Sequence, residues 1–284
     1  MNYGFDGFWR TKRLSIKWIN DLLKYVIPTE RLDWDSYIQK TYILHLPEEK
    51  KRKRNLNRQL SKIKTKDGSL KTKVTWWEGF KNVMEWDTSV YVDKYSFYYH
   101  HLVDPVNTFG MTEEQMKSTM IKCSVPERSI ALSHIKILED IVENDIPYSL
   151  IMEDDVWVRY DFNKRFKSIM DEQIPKDFDI LYISSLPTQR GFTWDEHSKD
   201  VLRLYNGVWW MSGLIVTKKA AQKMLDNLPC VGPIDVWINH QFEGLNVYMT
   251  RDNLVEQRLD YKSSNSYSFL QTYPETGIWK NNEN

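Results

Sequence analysis

Apolar positions along this chain change their period in a regular order. Leu14, Trp18, Leu22 and Val26 recur every four residues, with Ile19 and Leu23 beside them. That spacing predicts an amphipathic helix ended by Pro28. Such a helix serves a dimer face, a membrane surface or, as most do, simply covers a core. Thr41 to Leu46 is a short β-rich run stopped by Pro47. A charged helical stretch follows from Glu48 to about Lys62, then a turn at Lys66-Asp67-Gly68-Ser69 and a second strand from Lys73 to Trp77. Residues 86–112 are aromatic and irregular and read as a surface excursion near a site. Ser124-Val125-Pro126-Glu127 has the form of a capping box. Ala131, His134, Ile135, Leu138, Ile141 and Val142 then fall three and four apart, predicting a helix over 125–143.

Beyond it the alternation continues. Strands are expected at 148–152, 178–183, 209–217 and 246–250, and helices at 218–227 and 234–242. Strands separated by helices of this size imply an α/β domain with a mainly parallel central sheet. The chain divides into an N-terminal helical extension (1–38), one main domain (39–261) and a C-terminal tail (262–284) rich in Ser, Asn and Lys.

Charge and composition narrow the partners. The 39 basic residues balance 39 acidic ones, which argues against a dedicated nucleic-acid binder. Two cysteines, without CxxC spacing, suit a reducing compartment. No stretch is long and apolar enough to span a membrane, and the start lacks the marks of a secretory signal. A soluble, cytoplasmic protein is the expectation, with a homodimer left open.

The chemistry gathers at Glu153-Asp154-Asp155, directly after an apolar strand. Ligands of open α/β sheets collect at the carboxyl ends of strands. If the strand continued, Glu153 and Asp155 would share a face and Asp154 would point the other way. Carboxylates crowded together repel, and a divalent cation, Mn²⁺ or Mg²⁺, relieves that conflict. The alternative is a solvated strand end. Other candidates have bland readings as well. The run Lys50-Lys51-Arg52-Lys53-Arg54 could meet a diphosphate or be a solvated helix face. His134 on an apolar helix face could be a core histidine. Trp209 and Trp210 could pack or carry a sugar ring. Asp235 could cap a helix or face the site as a base.

Taken together, Ala131-Leu132-Ser133-His134 and Ile151-Met152-Glu153-Asp154-Asp155-Val156 resemble motifs of glycosyltransferase family 25. That family includes bacterial lipooligosaccharide galactosyltransferases and the collagen galactosyltransferase domains of animals and large viruses. The resemblance is colinear over roughly residues 39–260. It takes in Tyr42 to Leu46 with Arg52 and Arg54, Phe178 to Tyr182, Gly213 to Ala221, Pro233-Ile234-Asp235 and Leu254 to Gln257. Departures are His45 in place of a common Asn, Pro47 and Glu48 inside a usually basic stretch, and a bulky Trp209-Trp210-Met211-Ser212 run.

The resemblance implies a GT-A fold, a single Rossmann-like domain, and an inverting, metal-dependent transfer of a hexose from a UDP-sugar to a glycan or glycoprotein hydroxyl. Galactose is the first expectation and glucose the second. Glu153 and Asp155 then hold the metal, with His240 completing its shell. Leu46, Arg52, Arg54, Ser133, His134 and Asp154 contact the nucleotide-sugar donor. Asp235 is the base, and Trp209, Trp210 and Trp237 form acceptor platforms. The rivals are a non-catalytic nucleotide- or carbohydrate-binding module on the same fold and a metal-dependent phosphoesterase. Six histidines, none in a ligand-spaced pair except the adjacent His100-His101, disfavour the latter.

Overall fold

Residues 30–258 are described by a computed structural model, apart from 106, 107, 109, 189 and the side chain of Trp210. The helix expected over 14–26 and the tail over 262–284 lie outside the described residues. The alternating pattern resolves into β1 (Lys40–His45), α1 (Lys50–Leu60), β2 (Val74–Glu78), α2 (Val125–Glu143) and β3 (Tyr148–Glu153). There follow β4 (Ile180–Pro187), β5 (Thr193–Glu196), β6 (Val201–Asn206), β7 (Val208–Thr217), α3 (Lys218–Asp226), α4 (Ile234–Asn239) and β8 (Val247–Thr250).

Eight strands form one sheet in the order β5-β6-β8-β4-β7-β3-β1-β2. β1 lies parallel to β2 and β3, and β4 parallel to β8. β6 and β7 run against the rest, β7 being inserted antiparallel between β3 and β4. The sheet is therefore mostly parallel in direction, and its ligand-collecting edge is the carboxyl end of β1, β2 and β3.

Alternation along each strand divides the core in two. Tyr42, Leu44, Ile151, Tyr182, Leu214 and Val216 face α2, α3 and α4. Ile43, Leu150, Met152, Leu181, Ile183 and Ile215 face the other way, toward Leu56 and Leu60 of α1 and the Phe162–Ser168 helix. Trp34 joins that second layer, stacked on Phe166 at 5.0 Å between ring centroids and bonded through its indole to Thr41 Oγ1 at 3.1 Å. α2 begins as its sequence foretells. Ser124 Oγ accepts from Glu127 N, and the Glu127 carboxylate accepts from Ser124 N at 2.7 Å.

The stretch over 86–112 is corrected by the structure. It is no surface excursion: Tyr91, Tyr95, Phe97 and Val103 are buried in the first core layer or beside it. Short strands at Tyr91–Val92 and Lys94–Ser96 and a helix at Phe97–Val103 carry them. Gly207, between β6 and β7, has φ +84°, and a Cβ there would lie 2.3 Å from the Gly191 backbone. Only glycine fits that close approach. Among the described residues no helix is long and apolar enough to cross a membrane.

Candidate active site

The carboxyl ends of β1, β2 and β3 open on a cleft of about 330 Å³. His45 and Leu46 leave β1 at its floor, and the Glu153-Asp154-Asp155 run leaves β3 beside them. Arg52 reaches in from α1, Ser133 from α2, Met211 and Ser212 from β7, and Asp235 from the first turn of α4.

The acids do not sit as continued strand alternation requires. β3 stops at Glu153, and the chain turns through Asp154 and Asp155 before resuming as the short strand Val156–Val158. The two aspartates consequently face the same partner. Arg52 Nη1 lies 3.4 Å from Asp154 Oδ1 and 3.4 Å from Asp155 Oδ2. Glu153, still on the strand, looks across the sheet instead. It accepts from Ser212 Oγ at 3.1 Å, because Gly213 is the register partner of Met152. Asp154 and Asp155 thus share Arg52, while Glu153 stays near enough to Asp155 for the two charges to act on each other.

Arg52 is the positive group that both buried aspartates share, with Arg258 acting more weakly on Asp155. Asp154 Oδ2 and Asp155 Oδ1 are buried without a hydrogen-bond partner among the described residues. Burial, then the Asp155 and Asp154 charges, with Asp235 adding to them, pushes the Glu153 carboxyl up to about 8, against the Ser212 bond. Burial raises Asp154 to about 7, and Asp155 also lies above its usual range, both opposed by Arg52.

That raises a testable point. A carboxyl with a raised native pKa favours folding while protonated, and the favour is lost as pH climbs through the native value. In metal-free buffer the unfolding temperature is therefore expected to fall between about pH 5 and pH 8. Glu153→Gln should flatten that slope. An unchanged slope in the variant would show that Glu153 stays ionised throughout.

Among the described residues no group of three or more His, Cys, Asp and Glu side chains is arranged to hold a metal ion. The two orphaned aspartate oxygens do fit a cation that needs few protein ligands. Mg²⁺ and Mn²⁺ commonly use one or two carboxylates and fill their remaining positions with water and substrate phosphate.

Ser133 supports the cleft wall. Its Oγ accepts from Phe80 N at 2.8 Å and donates to Ser129 O at 2.6 Å. Ser129 Oγ in turn accepts from Val83 N at 3.2 Å. The Gly79–Asn82 segment pinned in this way lines one side of the cleft. No motif points to it; Ser212 and Gln257, the latter inside the Leu254–Gln257 match, also line the cleft.

Several expected residues lie elsewhere. Successive helical residues are about 100° apart, so Arg54 is turned about 200° from Arg52 and lines an outer groove. His134 is buried with neither ring nitrogen bonded among the described residues, and burial lowers its pKa to about 4. It does not line the cleft. Trp237 is 2% exposed, a core residue with no free face for a sugar. Trp209 packs on His100 at 5.3 Å between ring centroids. His240 stacks on Tyr99 at 3.8 Å, its Nε2 3.1 Å from the Tyr99 carbonyl, which leaves it outside the acid cluster. The side chain of Trp210 lies outside the described residues.

A family model described as glycosyltransferase family 25 (LPS biosynthesis protein) matches residues 38–238. Over 156 residues, 50% of this chain, the sequence is 26% identical to procollagen galactosyltransferase 2 of Homo sapiens, covering 23% of that protein. Over 116 residues, 38% of this chain, it is 28% identical to procollagen galactosyltransferase 1 of Danio rerio, covering 18% of it. The matches thus span less than a quarter of either relative's length. Among solved structures the chain is similar to A197 from STIV at 10% identity, over 48% of this chain and 79% of that one. Its TM-score of 0.28 is too low to bear on fold or activity.

Proposed function

The chain belongs to glycosyltransferase family 25, and from that premise we propose that it moves a hexose from a UDP-sugar to a hydroxyl of a glycan or glycoprotein, with inversion. The fold is read as the GT-A type. The observation that carries this reading is the cleft itself, with an under-neutralised aspartate pair and Arg52 on one side and Asp235 on another. The names of the relatives, procollagen galactosyltransferases, support galactose as the sugar.

In an inverting transfer the acceptor oxygen attacks the anomeric carbon as the bond from that carbon to the diphosphate oxygen breaks. The hydroxyl proton must go to a base, and the electron pair of the broken bond leaves with UDP. Asp235 is the proposed proton acceptor. Its Oδ1 accepts from Val236 N at 3.0 Å, which orients the carboxylate at the start of α4. Arg52 supplies fixed positive charge toward the departing diphosphate. A divalent cation, when bound, adds charge against the same group, and Asp154 and Asp155 are the residues that would hold it. Leu46 and Ser133 then shape the donor side of the cleft.

The test is a panel of UDP-hexoses with Mn²⁺ and hydroxyl acceptors, read as UDP released. UDP-galactose is expected to turn over fastest and UDP-glucose next. Stabilisation by UDP in a thermal-shift assay, without release from any donor, would make the chain a non-catalytic nucleotide-binding module.

A further inference from the structure

Residues 50–73 hold eleven Lys and Arg against one acid, Asp67, in a chain whose charges balance overall. Arg52 is turned into the cleft. Lys53 lies over the Trp76 ring at 4.6 Å, its Nζ 3.4 Å from His45 Nε2. Lys53 also borders a second groove, of about 430 Å³, made with it by Lys50, Arg54, Asn57, Arg58 and Ser61 and by Lys71 from the next turn. No carboxylate lines it.

Lys50, Arg54 and Arg58 stand four apart, so they form one stripe along α1. Like charges at that spacing cost helix stability. Nearby acids do not relieve them. Asp33 is taken by Lys66 at 2.6 Å, and Asp35 and Asp67 by Lys73 at 2.6 and 2.7 Å. Glu49 pairs with Arg52. Among the described residues Lys50, Arg54, Arg58 and Lys71 have no ion-pair partner.

We infer that this groove is a docking site for an acidic segment of a polypeptide partner. Charge complementarity requires an anion, and the groove's form selects among them. The eleven residues of α1 give a trough about 16 Å long, the span of about five extended residues. A membrane-surface helix sets apolar side chains beside its basic ones. The large exposed apolar residues described, such as Phe80, Met84 and Trp194, all lie elsewhere. A single-stranded nucleic acid needs aromatic faces to stack on, and none lines the groove. The inference does not depend on the donor or the reaction proposed above.

Fluorescence anisotropy of the full chain with fluorescein-labelled deca-glutamate, against deca-glutamine, tests it. Saturable binding to the glutamate peptide alone is expected, weakening as salt is raised from 50 to 200 mM on the order of tenfold. The double substitution R54E and R58E, on exposed side chains, should weaken binding at least about tenfold with the unfolding temperature unchanged. Lys71→Glu, off the helix, should act in the same direction. Absence of saturable binding overturns the inference, as does binding that ignores these substitutions. So does tighter binding of phosphatidylserine vesicles or single-stranded DNA through the same residues.

Discussion

Asp235→Asn is expected to lower the rate of sugar transfer by about 10²–10⁴-fold, with UDP-sugar binding and the unfolding temperature near those of the unaltered protein. The separation follows from what the substitution changes. Asn has the shape of Asp and keeps the oxygen that accepts from Val236 N, so the first turn of α4 holds. It cannot take a proton from an acceptor hydroxyl. Donor binding should not suffer, because the lost charge is negative and the donor diphosphate is negative too. A second effect goes with it. Asp235 is one of the charges that raise Glu153, so its neutralisation should let the Glu153 carboxyl ionise at lower pH. The measurements are kcat and KM for UDP release, a UDP thermal shift and a thermal melt. A variant retaining more than about a tenth of the rate would move the base to another group. Loss of UDP binding with the rate per bound donor preserved would make Asp235 a donor contact.

The parts of the fold that could be read in advance are those fixed by local chemistry. The expected helix over 125–143 is the observed Val125–Glu143, because a capping box and apolar residues three and four apart act within one element. The same holds for the strands at 148–153 and 208–217, whose apolar runs face both layers of the core. The acid cluster shows where such reading stops. Its place after a strand was legible. Its geometry was not, because nothing in Glu153-Asp154-Asp155-Val156 marks the turn that ends pairing at Glu153. Trp237 and His240 fail for a related reason. Both are near Asp235 in sequence, but on a helix two and five residues are about 200° and 140° around the axis. A motif that places Asp235 in the cleft therefore places them out of it. The Gly79–Asn82 wall had no local signal, since it is held by Ser129 and Ser133 from a helix some fifty residues onward.

Arg52→Met is expected to destabilise the fold by about 3–5 kcal/mol at neutral pH and to abolish transfer. The guanidinium is 12% exposed, and it faces aspartate side chains 6% and 12% exposed. Removing it takes away the main charge that compensates two buried carboxylates, leaving Asp155 only the weaker influence of Arg258, and one oxygen of each already has no bond among the described residues. The size of the loss should depend on pH, with a definite sign. Without Arg52 the aspartate pKa values rise further, because the main opposition to burial is gone. The variant sheds strain by protonating them, so the gap in stability should be small near pH 5 and widen toward pH 8. Two controls separate charge compensation from lost packing. Arg54→Met, on the exposed side of the same helix, should change stability by no more than about 0.5 kcal/mol. Asp155→Asn combined with Arg52→Met should recover much of the deficit, since one guanidinium and one carboxylate then leave together. Denaturant melts of the four proteins at pH 5 and pH 8 measure each quantity. A deficit that is the same at both pH values, or that the added Asp155→Asn fails to relieve, would mean that Arg52 acts through packing and that the aspartates are neutral in its absence at every pH tested. The stability lost on removing Arg52 is then the counterpart of its proposed work in the reaction. The charge that opposes the burial of two aspartates side by side is the same charge a departing diphosphate would meet.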